Sequence, residues 1–494
     1  MMSKFFRGWR AASRALLLGL TAATALYAAP AQPGGPARSS ARKPSIIFIL
    51  ADDLGYGDLG CYGQTRIKTP NLDQLAADGM RFTSFYAGST VCAPSRCALM
   101  TGLHTGHALI RGNATLALRP QDQTVAEVLK PAGYHTALIG KWGLGNPATT
   151  GVPQEKGFDE FLGYLDQVHA HDYYTDYLWR HDPSGKSKPG YEGKVEFPQN
   201  QGGQKGLYMD DLFTKAGLNF VTVNKPDQFN GYRPFFLYLA YTIPHANNEE
   251  DQRSGNGMQV PTDAPYSAEQ WPQPEKNKAA MITRMDADIG RLMEKLKELK
   301  IDDNTVVFFT SDNGPHKEGG VDPTFFQSSG PFRGIKRDLY EGGIRVPLIV
   351  RWSAKIKRGT VSDRVSAFWD ILPTAAEMAQ APVPEKLDGL SLLPTLLGKA
   401  QTNQHDFLYW EFHERGFQQA ARMDDWKAVR PQVGKPIELY NLKTDPGEKE
   451  NVAEKNPEVV AKLEAYLKTA RTESADWPIK LAKPQSNKQK ATKK

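Results

Sequence analysis

Cysteine is scarce: the 494 residues contain three, Cys61, Cys92 and Cys97. So few exclude a disulfide-built scaffold, and the odd count leaves a thiol for chemistry. Cys61 and Cys97 are expected to be buried free thiols that pack as small hydrophobes. Beyond the N-terminal segment no apolar run is long enough to cross a bilayer, which excludes a later spanning helix. There is no internal repeat with a period of about 20 to 50 residues, and low complexity is confined to the two ends, so a solenoid is excluded. A net positive charge is also missing from the body of the chain. The net +6 arises from four Lys/Arg before Ala15 and six Lys in 480–494, segments without acids, so the residues between carry −4. That balance excludes a basic nucleic-acid surface, and the aromatic-free basic stretch 479–494 reads as a solvated, disordered tail.

Lys4, Arg7, Arg10 and Arg14 precede an apolar run from Ala15 to Ala29, and small residues follow at Ala29-Pro30-Ala31. Residues 1–31 therefore read as a secretory signal peptide and 32–43 as a Pro/Gly/Ser-rich spacer. The expectation is an exported protein, periplasmic or secreted, with no stable membrane insertion. The rest, from a chain with a 40% hydrophobic fraction, suits a large α/β domain over 44–402 and a smaller C-terminal α+β subdomain over 403–478.

Ser45 to Ala51 is a continuous apolar run, as expected for a parallel strand covered on both faces, and it stops at Asp52-Asp53. Three further runs predict strands: His135 to Ile139, ending at Gly140-Lys141; Pro234 to Tyr241, ending at Pro244-His245; and Thr305 to Thr310, ending at Asp312-Asn313-Gly314. Four strands that finish in carboxylate, lysine, histidine or amide side chains point to one shared site, because open parallel α/β sheets build their sites at the strands' carboxyl ends. Thr69-Pro70 predicts the cap and first turn of a helix carrying Leu72, Leu75 and Ala76. Thr124 and Glu127 predict a capping box. Met281, Ile282, Met285, Ile289, Leu292, Met293, Leu296 and Leu299 fall at helical spacing. Past His405 the pattern changes to short aromatic strands, Phe407 to Phe412 and Ala420 to Arg430, and then a helix near Pro457 to Arg471.

One stretch is more specific than any of these: Cys92-Ala93-Pro94-Ser95-Arg96-Cys97-Ala98-Leu99-Met100-Thr101-Gly102. It resembles the signature of the type I sulfatases, arylsulfatase-like members of the alkaline phosphatase superfamily. Asp52-Asp53, Gly140-Lys141-Trp142, Pro244-His245, Asp312-Asn313-Gly314 and Tyr340-Glu341-Gly342-Gly343 recur in family order, over about residues 44 to 475. The resemblance implies an alkaline-phosphatase-like fold: a mixed, mostly parallel sheet flanked by helices. It further implies that a formylglycine-generating enzyme oxidises Cys92 to formylglycine, with Pro94 and Arg96 required for recognition. A hydrated aldehyde there offers one hydroxyl to attack sulfur and a second to break down the resulting ester, a step a thiol cannot perform. A short helix is expected to follow position 92, and its N-terminal amides favour anions.

Asp52, Asp53, Asp312 and Asn313 are hard oxygen ligands without a cysteine or histidine cluster, which suits calcium or magnesium better than zinc. Alone, Asp-Asp after a strand or Asp-Asn-Gly is more often a turn or a helix cap. The resemblance favours calcium and adds position 92 to its ligands. It also implies that Arg96 holds the formylglycine diol, that Lys141 and Lys336 bind sulfate, and that His245 protonates the leaving alcohol together with Lys336. The segment departs from the family at one place. Many relatives read Gly-Lys-Trp-His-Leu-Gly where this chain has Gly140-Lys141-Trp142-Gly143-Leu144-Gly145, so a histidine that contacts the formylglycine is missing. His169 and His171, in His169-Ala170-His171-Asp172-Tyr173-Tyr174, either replace it or bind substrate, and in an extended segment both would face one side. His316 is a further substrate-binding candidate.

The expected reaction is hydrolysis of a sulfate monoester, on a sulfated sugar or an aryl sulfate. A phosphodiesterase or phosphonate monoester hydrolase of the same superfamily is the nearest rival, and an inactive sugar-binding homologue is the rival of a different class.

Overall fold

The computed structural model describes residues 42–181 and 193–479. The signal peptide, nearly all of the spacer and the basic tail lie outside them. The four runs form strands Ser45–Ala51, His135–Lys141, Phe235–Ala240 and Thr305–Ser311. All lie mutually parallel in one sheet, in the order 305–311, 45–51, 235–240, 135–141. Glu160–Tyr164 extends the parallel set beside 135–141, and on the other flank Leu348–Arg351 lies antiparallel to 305–311, with Met80–Phe82 and Thr360–Ser362 beyond it. Among the described residues this sheet has ten strands, mostly parallel at its centre and antiparallel near its margins.

Alternation along the strands builds two cores. Ile46, Phe48 and Leu50 pack to one side with the helices Cys92–Thr101, Val125–Leu129 and Ile371–Met378. Ile47, Ile49 and Ala51 pack to the other with Pro70–Ala77, Met209–Val223 and Gln273–Glu298. The longest of these helices sets Met281, Ile282, Met285, Ile289, Leu292 and Leu296 into its core, the face expected from their spacing. Pro70 opens its helix as expected, but Thr69 does not cap it: the hydroxyl accepts from the Gly60 amide and donates to Asp73. The Thr124–Glu127 capping box forms in full.

The smaller sheet is antiparallel, from Leu408–Phe412, Gln418–Met423, Trp426–Arg430 and Glu438–Asn441, with the helix Pro457–Thr469 on one face. The stretch 420–430, read as one strand, is a hairpin that turns at Asp424-Asp425, where Asp424 takes φ +51°. Trp410, Phe412 and Val429 share a core with Tyr86, Val91, Ala98 and Trp369 of the large domain. Buried Lys427 reaches from this sheet to Glu341 at 2.9 Å and to Glu448 at 3.0 Å. The subdomain thus braces the Cys92 helix and the Tyr340-Glu341-Gly342-Gly343 segment from behind.

Candidate active site

Asp52 and Asp53 follow the 45–51 strand directly. Successive residues of a strand point to opposite faces. At Asp53 the chain leaves that conformation, with φ +65°, and both carboxylates join one buried cluster. Cys92, rather than preceding a helix, is its first residue, and its Sγ is 3.4 Å from Asp52 Oδ1. This sulfur marks the place where the oxygens of a converted residue 92 would stand. Arg96 is four residues further along the same helix, so it shares the face of Cys92. Its Nε and Nη2 donate to Asp312 Oδ2 at 3.1 and 2.9 Å, Nη2 is 3.3 Å from Asp52, and Nη1 donates to the Lys141 carbonyl.

Lys141, at the end of its strand, places Nζ 2.6 Å from Asp52 Oδ2. Lys336 places Nζ 2.8 Å from Asp53 Oδ2 and 3.0 Å from His245 Nε2. His245 Nδ1 lies 2.7 Å from the Ala246 carbonyl. A carbonyl only accepts, so Nδ1 carries the proton and Nε2 accepts from the Lys336 ammonium. The cluster holds three carboxylates, Asp52, Asp53 and Asp312, against three fixed cations, Arg96, Lys141 and Lys336.

Burial tends to raise Asp52, but Lys141, Arg96 and Lys336 outweigh it and hold the carboxyl well below its usual range. Burial and the neighbouring Asp52 push Asp312 up to about 7, although Arg96 opposes them. Burial, then Lys336, drives His245 well below an ordinary imidazole. Burial and Asp52 drive the Cys92 thiol well above an ordinary one. The unmodified thiol is therefore protonated at neutral pH and is a poor nucleophile.

A hard divalent cation fits this centre. Asn313 Nδ2 donates to Asp53 Oδ1 at 2.6 Å and to the Gly314 carbonyl, while Asn313 Oδ1 is buried without a partner in the protein. An orphaned amide oxygen among three carboxylates is the donor set that calcium or magnesium takes. A divalent ion would also leave the balanced cluster two charges positive, ready for an anion.

The histidines separate. His171 stacks on His245, ring centres 4.7 Å apart and 14° from parallel, with Nδ1 3.1 Å from Glu249. His169 turns away: Nε2 meets Thr175 Oγ1 at 2.7 Å and the ring stacks on Tyr177. The cause is that His169–His171 forms a 3-10 turn, not the extended segment expected, so residues two apart face different sides. His316 is buried with both nitrogens engaged, Nε2 on the Pro244 carbonyl and Nδ1 accepting from the Glu318 amide. In this arrangement it braces the Pro244-His245 loop and offers no free nitrogen to a substrate.

Several site residues escaped the sequence. The Tyr173 hydroxyl holds the carbonyls of Thr242 and His245 at 2.7 and 2.6 Å. Ser95 Oγ donates to the Asp312 carbonyl, and Asn113 Oδ1 accepts from the Ala93 amide at the start of the Cys92 helix. Gly143 takes φ +82°, and a Cβ built on it would fall 1.8 Å from Gln167 Nε2. Gln167, rather than either histidine, fills the space beside Gly143, and its amide is buried without a partner in the protein. Neighbouring Tyr residues were visible only as an aromatic stretch.

Such a centre groups fixed cations, hard oxygen donors and a bound proton in one buried place. The family model described as "Sulfatase" matches residues 44–381, and that described as "N-sulphoglucosamine sulphohydrolase, C-terminal" matches 333–473. The N-acetylgalactosamine-6-O-sulfatase of Bacteroides thetaiotaomicron is 31% identical, over 88% of this chain and 94% of its own. Human arylsulfatase A is 33% identical, over 92% of this chain and 90% of its own. The crystal structure of Ps i-CgsB in complex with k-i-k-neocarrahexaose superposes with a TM-score of 0.73 at 27% identity, covering 89% of this chain and 95% of that one. The chain belongs to the sulfatase family and is a sulfuric ester hydrolase.

Proposed function

We propose that this sulfatase hydrolyses sulfate monoesters of carbohydrates, of the galactose or N-acetylgalactosamine type, with formylglycine at position 92 and calcium held by Asp52, Asp53, Asp312 and Asn313. The observation that carries the reading is the placement of Cys92 against Asp52, inside the ring of Arg96, Lys141 and Lys336. The names of the curated relatives support the sugar class. The calcium would polarise the sulfate and ease deprotonation of the attacking hydroxyl. A hydrated aldehyde at 92 would supply that hydroxyl and the second one that restores the aldehyde.

The chain's own residues then have distinct tasks. Arg96, doubly bonded to Asp312, is a fixed positive wall that costs no reorganisation as charge develops. Lys141 and Lys336 present ammonium groups to the sulfate oxygens from two sides. His245 Nε2 is the acceptor for the Lys336 proton, so the pair can pass one proton to the departing alkoxide.

Cys92 and Arg96 are 2% and 0% exposed, and the whole 92–101 helix is buried. Maturation by a formylglycine-generating enzyme must therefore precede folding. Export is part of the same proposal and rests on the basic, then apolar N-terminal sequence. The test is a panel of sugars sulfated at defined carbons, with an aryl sulfate and an aryl phosphodiester, given to protein made alongside the maturing enzyme. Turnover of a sulfated sugar is the expected result. Faster turnover of the phosphodiester would move the chain to the rival activity, and binding without any turnover would make it a sugar-binding homologue.

A further inference from the structure

A polar cleft of about 430 Å³ is lined by Asn247, Glu249 and Glu250 of the segment that follows His245. Two residues tie it to the acid end of the site. Glu249 lines the cleft and also holds Nδ1 of His171, whose ring is stacked on His245. Asn247, two residues after His245, lines it too. An alcohol that takes its proton at the His245 and Lys336 end therefore leaves toward this cleft, whose size suits one or two sugar rings.

The charge of the cleft is opposite to the one a divalent ion would give the anion-binding centre. Four carboxylates line it, Asp172, Asp176, Glu249 and Glu250, against two cations, Lys205 and Arg253. Lys205 is 3.9 Å from Glu250, so part of the positive charge is already matched. Burial, then Lys141, lowers His171 below an ordinary imidazole, so it adds no reliable cation at neutral pH. A substrate that reaches from the centre into the cleft therefore passes from a field that favours an anion to one that opposes it.

We propose that this cleft receives the sugar carrying the scissile sulfate and selects one whose remainder is uncharged or bears an amine, discriminating against a second acidic group. The inference rests on the sulfatase reading and adds its substrate class. Hydroxyl and ammonium groups donate to carboxylates, whereas a uronate or another sulfate would meet like charge, which is specificity by repulsion.

The test uses formylglycine-bearing protein and two disaccharides sulfated at the same carbon of N-acetylgalactosamine, one linked to glucose and one to glucuronate, together with the sulfated free-amine monosaccharide. The glucuronate compound should show a kcat/KM at least about tenfold below its glucose counterpart, equivalent to about 1.4 kcal/mol. The free amine should match or exceed its N-acetyl form. In Asp176→Lys/Glu250→Lys the tenfold gap should close to within about threefold or invert. If that variant fails to fold, Asp176→Asn/Glu250→Gln should narrow the gap in part. Equal or better turnover of the glucuronate compound by the wild type overturns the proposal, as does an undiminished gap in every folded charge variant. An aryl sulfate run with each preparation separates the two levels of the argument. If it is hydrolysed while the sugars are not discriminated, only the cleft assignment falls; if no sulfate ester is hydrolysed, the sulfatase reading falls with it.

Discussion

His171 lies flat on His245, the two imidazoles 4.7 Å apart and 14° from parallel, and Glu249 anchors the outer ring. The inner ring is thereby held between a stacked neighbour and the Lys336 ammonium. His171→Ala should let His245 tilt away from the leaving oxygen, lowering kcat on sugar sulfates about tenfold and on aryl sulfates by less, because activated leaving groups need little protonation. Unchanged kcat with only a raised KM would assign His171 to substrate binding alone.

Cys92 is sealed from solvent and its thiol is kept protonated by burial and Asp52. Peptide mass analysis of protein made with the maturing enzyme should show conversion at Cys92 and none at Cys61 or Cys97, because only Cys92 is followed by a proline two residues on and an arginine four residues on. Adding the same enzyme to folded, unmodified protein should give almost no conversion. Full activity with an intact thiol at position 92 would overturn the role given to that residue.

The four strands and their endings were legible because each is an unbroken apolar run cut off by charge, a pattern local in sequence. Arg96 was marked by the family resemblance, and the helix supplies the physical reason, since residues four apart on a helix share a face. Gln167 was not, because its place depends on a missing Cβ at Gly143, across from it only after folding. Nor was the turn at 169–171, which is closed by local backbone bonds, while its histidine finds Glu249 far along the chain. The hairpin at 424–425 was written in Asp424-Asp425, a turn signal overlooked within a run of strand formers.

Asp312 accepts twice from Arg96, which makes it an anchor as well as a proposed calcium ligand. Asp312→Ala should strip the buried guanidinium of its nearer carboxylate and leave it only Asp52 at 3.3 Å, at a cost of up to about 3 to 5 kcal/mol, so loss of activity in that variant would be ambiguous. Asn313→Ala is the cleaner probe. Wild-type protein should gain thermal stability with added calcium, as any ligand of the folded state requires, and Asn313→Ala should lose most of that gain. An identical calcium shift in both proteins would remove Asn313 from the ligand set.

His135 sits at the start of its strand, 2.7 Å from Glu160 and 3.3 Å from Asp159. Hydrogen bonds to Asp159, then Glu160, lift it from 6.5 to about 9. A raised histidine stabilises the fold fully below its unfolded pKa, and the contribution fades as pH climbs from about 6.5 through 9. Partial exposure screens the effect to about 1 kcal/mol, or roughly 1 to 2 °C in Tm for a chain of this size. The Tm difference between wild type and His135→Gln should therefore shrink across that window, and a constant difference would show that the ion pairs contribute nothing.

Lys336 and His245 share one proton between Nζ and Nε2, since Nδ1 of the histidine is committed to the Ala246 carbonyl. Burial would favour a neutral lysine, but Asp53 more than offsets it and keeps the ammonium charged. Lys336 then carries the proton, and His245, as its hydrogen-bond acceptor, aims the ammonium at the departing oxygen. Such assistance matters most when the departing oxygen is basic, and its loss typically costs about 10² to 10⁴ in rate. His245→Ala should therefore cost that much on sugar sulfates, far less on an activated aryl sulfate, and should steepen the dependence of kcat on leaving-group pKa across a series of aryl sulfates. Lys336→Met should lose more on both kinds of substrate, because it also removes a cation that faces the sulfate. A His245→Ala variant with equal losses across the series would reduce that histidine to sulfate binding and leave Lys336 to protonate the alcohol unaided.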